Sequence, residues 1–490
     1  MEYKTKLPTS KRIFQGASFA FAGRLCSAFL GYINLIIIAK ILDIEQFGLY
    51  SFIIAFLTIA YIIANFGVEQ TLIYMIPKKQ SQGHNVYRIF ITTMGSIILV
   101  ASSVVILLII LLENTIFISF EGKYNNLFIA LALFSIPIQS MVVFYRVINQ
   151  TNFKYIYATV PEYIVRPVLF FCCLVGMYYL GFTNINLVLG SYVFSYLIAF
   201  LTAVVSRNKN EKVKLQLKVE KAYFKDCFKF MNIQLLNQLS PFILVYIIGI
   251  YQSNSDIGFF RVAFQTATLI AFALRSIEVV YTPIFSNLYN DNMKEKLNYT
   301  YKKNTNWIII IASLLCLIAI TFSYEIMSIF GEEFKTTVFL FQLLCLNQII
   351  NTIFGSIDYL LMVAGKTRII LVASILQSGS VILLSLFFIE QYGTVGAAIS
   401  ILFGTFIFRL VLMVWSWISI SIHPFSVKYF YLVLISFFNF LIGFYLNSLN
   451  MELSVKMLCF LIEFVFLFLI LVYLIVLDKE EKKKLRERVG

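Results

Sequence analysis

Long apolar runs, separated by short polar connections, recur along the whole chain. A helix of about 20 apolar residues crosses the hydrocarbon core of a bilayer. By that measure the pattern predicts fourteen spans, at 13–42, 46–76, 89–112, 126–147, 155–180, 185–205, 224–250, 257–285, 306–330, 335–364, 368–389, 394–420, 427–447 and 454–477. The longest connections, 206–223 and 286–305, are too short for a soluble domain. The predicted fold class is therefore all-α, a polytopic membrane protein. The basic segment Met1 to Arg12 followed by an apolar run resembles a signal peptide, and Ala20-Phe21-Ala22 mimics a cleavage site. Because the apolar run continues far beyond it, a retained first span is expected.

Composition agrees with the pattern. Of 490 residues, 60% are hydrophobic and 13% charged, against about a quarter charged in soluble chains; the mean hydropathy is +0.86. Six of the seven cysteines lie inside apolar spans, without zinc or disulfide spacing, and the two histidines, His84 and His423, form no ligand cluster. No metal site and no catalytic motif is predicted. Gly365-Lys366-Thr367 imitates the end of a phosphate-binding loop, but Leu360 stands where the upstream glycine is required.

The net charge of +14 reads as topology once its distribution is seen. With the N-terminus on the cytoplasmic side, 29 of the 39 basic residues fall in cytoplasmic connections, Arg146 and Lys154 among them. Only Lys40, Lys123, Lys335 and Lys456 fall on the other side. This asymmetry predicts both termini in the cytoplasm and excludes a nucleic-acid footprint. It also offers some attraction to anionic membrane lipid.

Five arginines remain within spans: Arg24, Arg166, Arg261, Arg275 and Arg409. A guanidinium at mid-membrane depth costs several kcal/mol unless it meets water or a partner, so each is a candidate functional group. Arg24 lies on a helical stripe of small or polar residues, Ala17, Ala20, Ser27, Gly31 and Asn34. The second span presents Thr58, Tyr61, Asn65 and Glu69 on one face, and the eighth presents Arg261, Gln265, Thr268, Arg275, Glu278 and Thr282. Polar faces on several spans predict a shared aqueous cavity lined by Ser27, Asn34, Thr58, Tyr61, Asn65, Gln265 and Thr268. Arginines in such a cavity suit an anion, and a polyprenyl-diphosphate lipid is an amphipathic anion of the right kind. The competing reading is local pairing, Arg275 with Glu278, Glu162 with Arg166, and Asp358 with Lys366 or Arg368. Glu69, Glu278, Asp358 and Glu463 are the candidate carboxylates for coupling to a proton or sodium ion; no other cofactor is expected.

A weak internal repeat relates Asp43-Ile-Glu-Gln-Phe-Gly48-Leu-Tyr50 to Ser253-Asn-Ser-Asp-Ile-Gly258-Phe-Phe260. A repeat of six spans places two lobes in parallel orientation. The expected organisation is an N-terminal lobe at 1–205, a basic cytoplasmic linker at 206–223, a C-terminal lobe at 224–420, two extra spans at 421–477 and a basic tail at 478–490.

These features, with Ile329-Phe-Gly-Glu-Glu-Phe334 and Tyr392-Gly-Thr-Val-Gly-Ala-Ala398, resemble over the whole chain the polysaccharide branch of the multidrug/oligosaccharidyl-lipid/polysaccharide exporter superfamily. Specifically, the chain resembles a Wzx-type O-antigen or capsular repeat-unit flippase. The resemblance implies a two-lobed bundle in the bacterial inner membrane with a central cationic cavity and alternating access. It implies undecaprenyl-diphosphate-linked oligosaccharide as cargo, for O-antigen, lipopolysaccharide or other surface polysaccharide, and Arg24 and Arg275 as its basic groups. A polysaccharide polymerase and a chain-length regulator are the implied protein partners. The alternatives are a lipid II flippase, a multidrug/cation antiporter, which would want acids at the cavity centre, and a membrane oligosaccharide polymerase. The last is an enzyme needing a large external loop that this chain lacks, so no enzymatic activity is expected.

Overall fold

The computed structural model describes residues 10–81, 84–111, 126–206, 221–425, 427–449 and 452–471, all helix and short connections, without a strand among them. Nine described helices are long and apolar enough to cross a membrane, ten when the bent pair Tyr223–Leu236 and Gln238–Tyr251 is one span. Each of the fourteen predicted spans falls mostly on helix over its described residues, with interruptions at 66–67, at 322 and at 354–356. The molecule is a multi-pass membrane protein.

The chain forms two compact units, Met1–Gly258 and Phe259–Gly490. In the first, α1 (Ser10–Ile41), α2 (Ile44–Asn65), α3 (Val68–Ser81), α4 (His84–Leu111) and α5 (Asn126–Thr151) are followed by a composite span. That span is a short α6 (Tyr155–Thr159), a π turn (Val160–Val165) and α7 (Arg166–Leu180). Then come α8 (Ile185–Val205) and α9 (Lys221–Tyr251).

Predicted span 46–76 is not continuous. Phe66 takes the left-handed conformation, φ 47°, and ends α2. The second piece, α3, then packs Val68, Leu72 and Ile76 against Phe90 and Met94 of α4 and Phe144 and Val147 of α5. Asp43 caps α2 by accepting the Gln46 amide at 2.7 Å, which stops the first span and starts the second. α9 bends by 51° after Leu236. Pro241 explains the position, since its ring crowds the carbonyl four residues earlier, that of Asn237. α9, expected to open the second lobe, packs against α2 and α3, with Phe66 and Phe224 rings 4.8 Å apart.

The second unit is built on α10 (Asn254–Asn290, from Phe259 onward), α11 (Lys294–Thr321), α12 (Ser323–Ser328), α13 (Val338–Ile353) and α14 (Ile357–Val363). It continues with α15 (Thr367–Ile420), α16 (Val427–Ser448) and α17 (Leu453–Leu471). α15 contains the two predicted spans 368–389 and 394–420, separated at Gly393, whose φ of 57° and ψ of −135° only glycine adopts readily. Predicted span 335–364 breaks at Phe354 to Ser356. There the buried Tyr301 hydroxyl donates to the Phe354 carbonyl at 2.7 Å, and the Asn304 amide donates to Ser356 Oγ at 3.1 Å. The first satisfies a backbone carbonyl at the break, and the second ties the Ser356 side chain to α11. Near the far end of α11, buried Lys456 of α17 pairs with Glu325 of α12 at 2.8 Å, tying the last span to the unit.

Candidate functional site

The largest cluster of charges in the first unit gathers around the π turn. Such turns insert one residue into a helix and re-aim the side chains on either side. Here the turn carries Pro161, Glu162 and Tyr163. Arg146 of α5 is 8% exposed and sits between two carboxylates, Glu69 of α3 at 2.6 Å and Glu162 at 2.6 Å. The Glu69 contact is an aligned hydrogen bond from Nη2; the Glu162 contact is an ion pair in which neither Nε nor Oε2 gains an aligned hydrogen bond. The Tyr163 ring lies under the Arg146 guanidinium, 5.8 Å from its centroid.

Arg24 reaches the same ring at 5.6 Å. α1 approaches the composite span through Gly23, where a Cβ would run into Thr159, and Gly16, where it would run into Tyr155. Arg24, beside Gly23, is exposed and makes no ion pair among the described residues. Arg24 is thus a cation held on an aromatic face with its guanidinium open to the surroundings.

Arg166 behaves differently. The expected pairing with Glu162 does not form, because the π turn separates them and Glu162 is taken by Arg146. Arg166 instead donates to the Tyr196 hydroxyl of α8 at 2.8 Å, stacks over that ring at 5.0 Å, and leaves its Nε without a partner. Tyr196 meets Tyr192 edge-on at 5.0 Å, and Gln139 donates to the Tyr192 hydroxyl at 3.1 Å. Three guanidinium groups and two carboxylates thus share one side of this unit.

In the second unit Arg409 of α15 is buried, 5% exposed. Its Nε and Nη2 donate to Asn351 Oδ1 at 2.8 and 2.6 Å, and its Nη1 meets Asp358 at 3.3 Å. This corrects the expected pairing of Asp358 with Lys366 or Arg368; the break at 354–356 turns Asp358 toward α15 instead. Arg409 is a structural knot. Arg409→Leu leaves Asp358 and Asn351 without their donor and costs about 1.5–3 kcal/mol, visible as a lower thermal midpoint in detergent. Arg409→Lys recovers only part, because a single ammonium cannot reproduce the fork.

The other predicted residues scatter. Asn34 is 4% exposed, its amide 3.5 Å from the Pro167 carbonyl and its Oδ1 unpartnered. Asn65 is 1% exposed, with neither amide atom hydrogen-bonded. Both are packed inside the unit rather than set on an open face. Thr58 is exposed and returns its hydroxyl to the Ile54 carbonyl. Ser27 and Tyr61 are half-buried. On α10, Arg261 and Gln265 are half-buried, and Thr268 bonds the Gln265 carbonyl. Arg275, Glu278 and Thr282 lie on α10, with side chains outside the described residues. Glu463 of α17 is half-buried.

Arg146 joins this cluster although the charge pattern counts it as a cytoplasmic topology charge. α5 continues to Thr151, so Arg146 is more than a turn inside it. The available signal was Glu69, an in-span acid with no basic residue three or four positions away on its own helix.

Comparison with known proteins places this architecture. The sequence model of a family described as polysaccharide biosynthesis protein matches residues 13–289, more than half of the chain. The MatE family model matches residues 231–387. An uncharacterized membrane protein of Methanocaldococcus jannaschii is 21% identical over 458 residues, covering 89% of this chain and 88% of that protein. Among solved structures, lipid II flippase MurJ in an inward closed conformation matches with a TM-score of 0.76 at 16% identity, over 93% of this chain and 98% of that one. An inward-facing multidrug resistance MATE family transporter of the MOP superfamily matches at 0.63 and 14% identity, over 81% and 94%. A MOP superfamily transporter from Pyrococcus furiosus, described as having a binding pocket of reverse polarity, matches at 0.61 and 14%, over 84% and 96%. With a family match across 13–289, the chain belongs to the polysaccharide biosynthesis protein family, and it shares its all-helical fold with MurJ and with MATE transporters.

Proposed function

We propose that this protein is a flippase that carries polyprenyl-diphosphate-linked oligosaccharide from the cytoplasmic to the outer leaflet of a bacterial inner membrane, for surface polysaccharide such as O-antigen. The observation that carries the reading is Arg24: exposed, held on the Tyr163 ring, and in no ion pair among the described residues. Arg146 and Arg409, by contrast, are satisfied internally. The family match supports polysaccharide chemistry, and the MurJ likeness supports a lipid-linked cargo.

In this reading 1–205 and 224–420 act as the two lobes, both termini are cytoplasmic, and no bond is made or broken. Arg24 binds the diphosphate while the polyprenyl tail stays in lipid. Arg166 in the first unit and Arg261 and Arg275 in the second are the further candidate basic groups. Binding must be stronger in one conformational state than another for the cycle to turn. A cation antiporter fits less well, since Glu69 and Glu162 are both engaged by Arg146.

Purified protein in liposomes, given a fluorescent polyprenyl-diphosphate oligosaccharide, will move the label across the bilayer as read by an external quencher. Arg24→Ala will weaken headgroup binding by about tenfold or more, the worth of a charge-assisted hydrogen bond, and slow flipping in proportion, while Arg24→Lys retains part. Equal flipping by wild type and Arg24→Ala would sink the proposal. The MurJ likeness favours one second reading, a lipid II flippase, which predicts that a peptide-bearing lipid-linked precursor outcompetes a peptide-free one.

A further inference from the structure

We infer that the carboxylate of Glu162 takes up a proton when a diphosphate binds at Arg24, so that anion binding and proton binding are coupled in the first unit. This rests on the proposed headgroup site and adds its energetic coupling.

Glu162 projects from the π turn among α1, α5, α6, α7 and α8. The charged and titratable groups around it are Arg24 from α1, Tyr61 from α2, Glu69 from α3 and Arg146 from α5. Tyr163 on the turn itself, Arg166 from α7 and Tyr196 from α8 complete the set. With the phenols neutral, three guanidinium groups against two carboxylates leave one net positive charge. The carboxylates are each 18% exposed and Arg146 8%, so water screens these three charges weakly. A diphosphate diester brings two negative charges. Its arrival at Arg24, which shares the Tyr163 ring with Arg146, turns the local sum from plus one to minus one.

The least costly correction is one proton from water onto a carboxylate, restoring a sum of zero. Glu162 is the better acceptor. Glu69 receives an aligned hydrogen bond from Arg146, whereas the Glu162 oxygen beside Arg146 Nε receives none. Glu162 also adjoins Tyr163, the residue on which Arg24 stands. The proton adds to a Glu162 oxygen and no other bond changes.

The test uses the full-length protein in detergent and a farnesyl-diphosphate N-acetylglucosamine probe. Both of its phosphates are diesters, so the probe itself carries no proton in the neutral range. Calorimetric titration in two buffers of different ionisation enthalpy gives the protons taken up per probe bound, and repetition between pH 6 and 8 gives the affinity profile. Wild type is expected to take up protons on binding. By linkage, its affinity falls as pH rises, by up to about tenfold per pH unit where Glu162 would otherwise be ionised. In Glu162→Gln the uptake disappears and the affinity profile flattens, while Glu162→Asp, which keeps the carboxylate, retains both. Binding by wild type without proton uptake, or undiminished uptake in Glu162→Gln, overturns the inference and leaves the headgroup site standing. Failure of wild type to bind the probe at all removes the proposed function and this coupling with it.

Discussion

Arg146→Met will cost about 3–5 kcal/mol, a large part of the protein's stability, and the variant will melt early or aggregate in detergent. The side chain is 8% exposed and is the described cation paired with both Glu69 and Glu162. Taking it away leaves two poorly solvated carboxylates close together, and an uncompensated buried charge costs far more than the net worth of the pair. Total stabilities are about 5–15 kcal/mol, so a loss of this size decides whether the fold survives purification. The triple variant Arg146→Met, Glu69→Gln, Glu162→Gln removes the charges together and is expected to regain most of the thermal midpoint, since replacing a whole buried network is often close to neutral. A single variant as stable as wild type would mean that water already solvates the carboxylates, and would dissolve the charge count used above.

Gly48→Ala is the second large effect, and it is steric. The two turns of the internal repeat pack directly on each other. A Cβ on Gly48 would fall inside the Asn254 carbonyl, and one on Gly258 would come within 2.9 Å of the Phe47 ring. The two positions differ in what has to give. Phe47 is fully buried, yet a ring edge can shift by a few tenths of an ångström; the Asn254 carbonyl is backbone at the start of a helix. Gly48→Ala is therefore expected at or above the upper end of the about 1–3 kcal/mol typical of overpacking, and Gly258→Ala below it. Thermal midpoints of both variants, measured side by side, should differ in that order. Equal, small losses would mean that this crossing is loose.

The small-residue stripe of α1 was a partial guide to the site. It correctly set Arg24 among small neighbours, but the closest approach to the composite span is through Gly16 and Gly23, and a Cβ on Gly31 would meet nothing within 4 Å. Helical spacing identifies which residues share a face; it does not say which face meets a neighbour. The polar face assigned to the second span is divided between two helices, with Thr58, Tyr61 and Asn65 on α2 and Glu69 on α3. The Phe66–Gly67 break re-phases everything after Asn65, so Glu69 turns to Arg146 while Thr58 stays outside.

From the chain alone came the membrane class, the helical spans and the repeat turns around Gly48 and Gly258. These are legible because each depends on the transfer of a segment's own residues into lipid, or on charge counted by connection. The partners of the charges needed the tertiary structure. Glu69 and Arg146 stand 77 positions apart, and Arg409 and Asp358 stand 51 apart. Local spacing offered nearer partners, Arg166 for Glu162 and Lys366 for Asp358, that the π turn and the break at 354–356 rule out. A buried charge is satisfied by whichever opposite charge the packing brings within reach, and that choice belongs to the folded molecule.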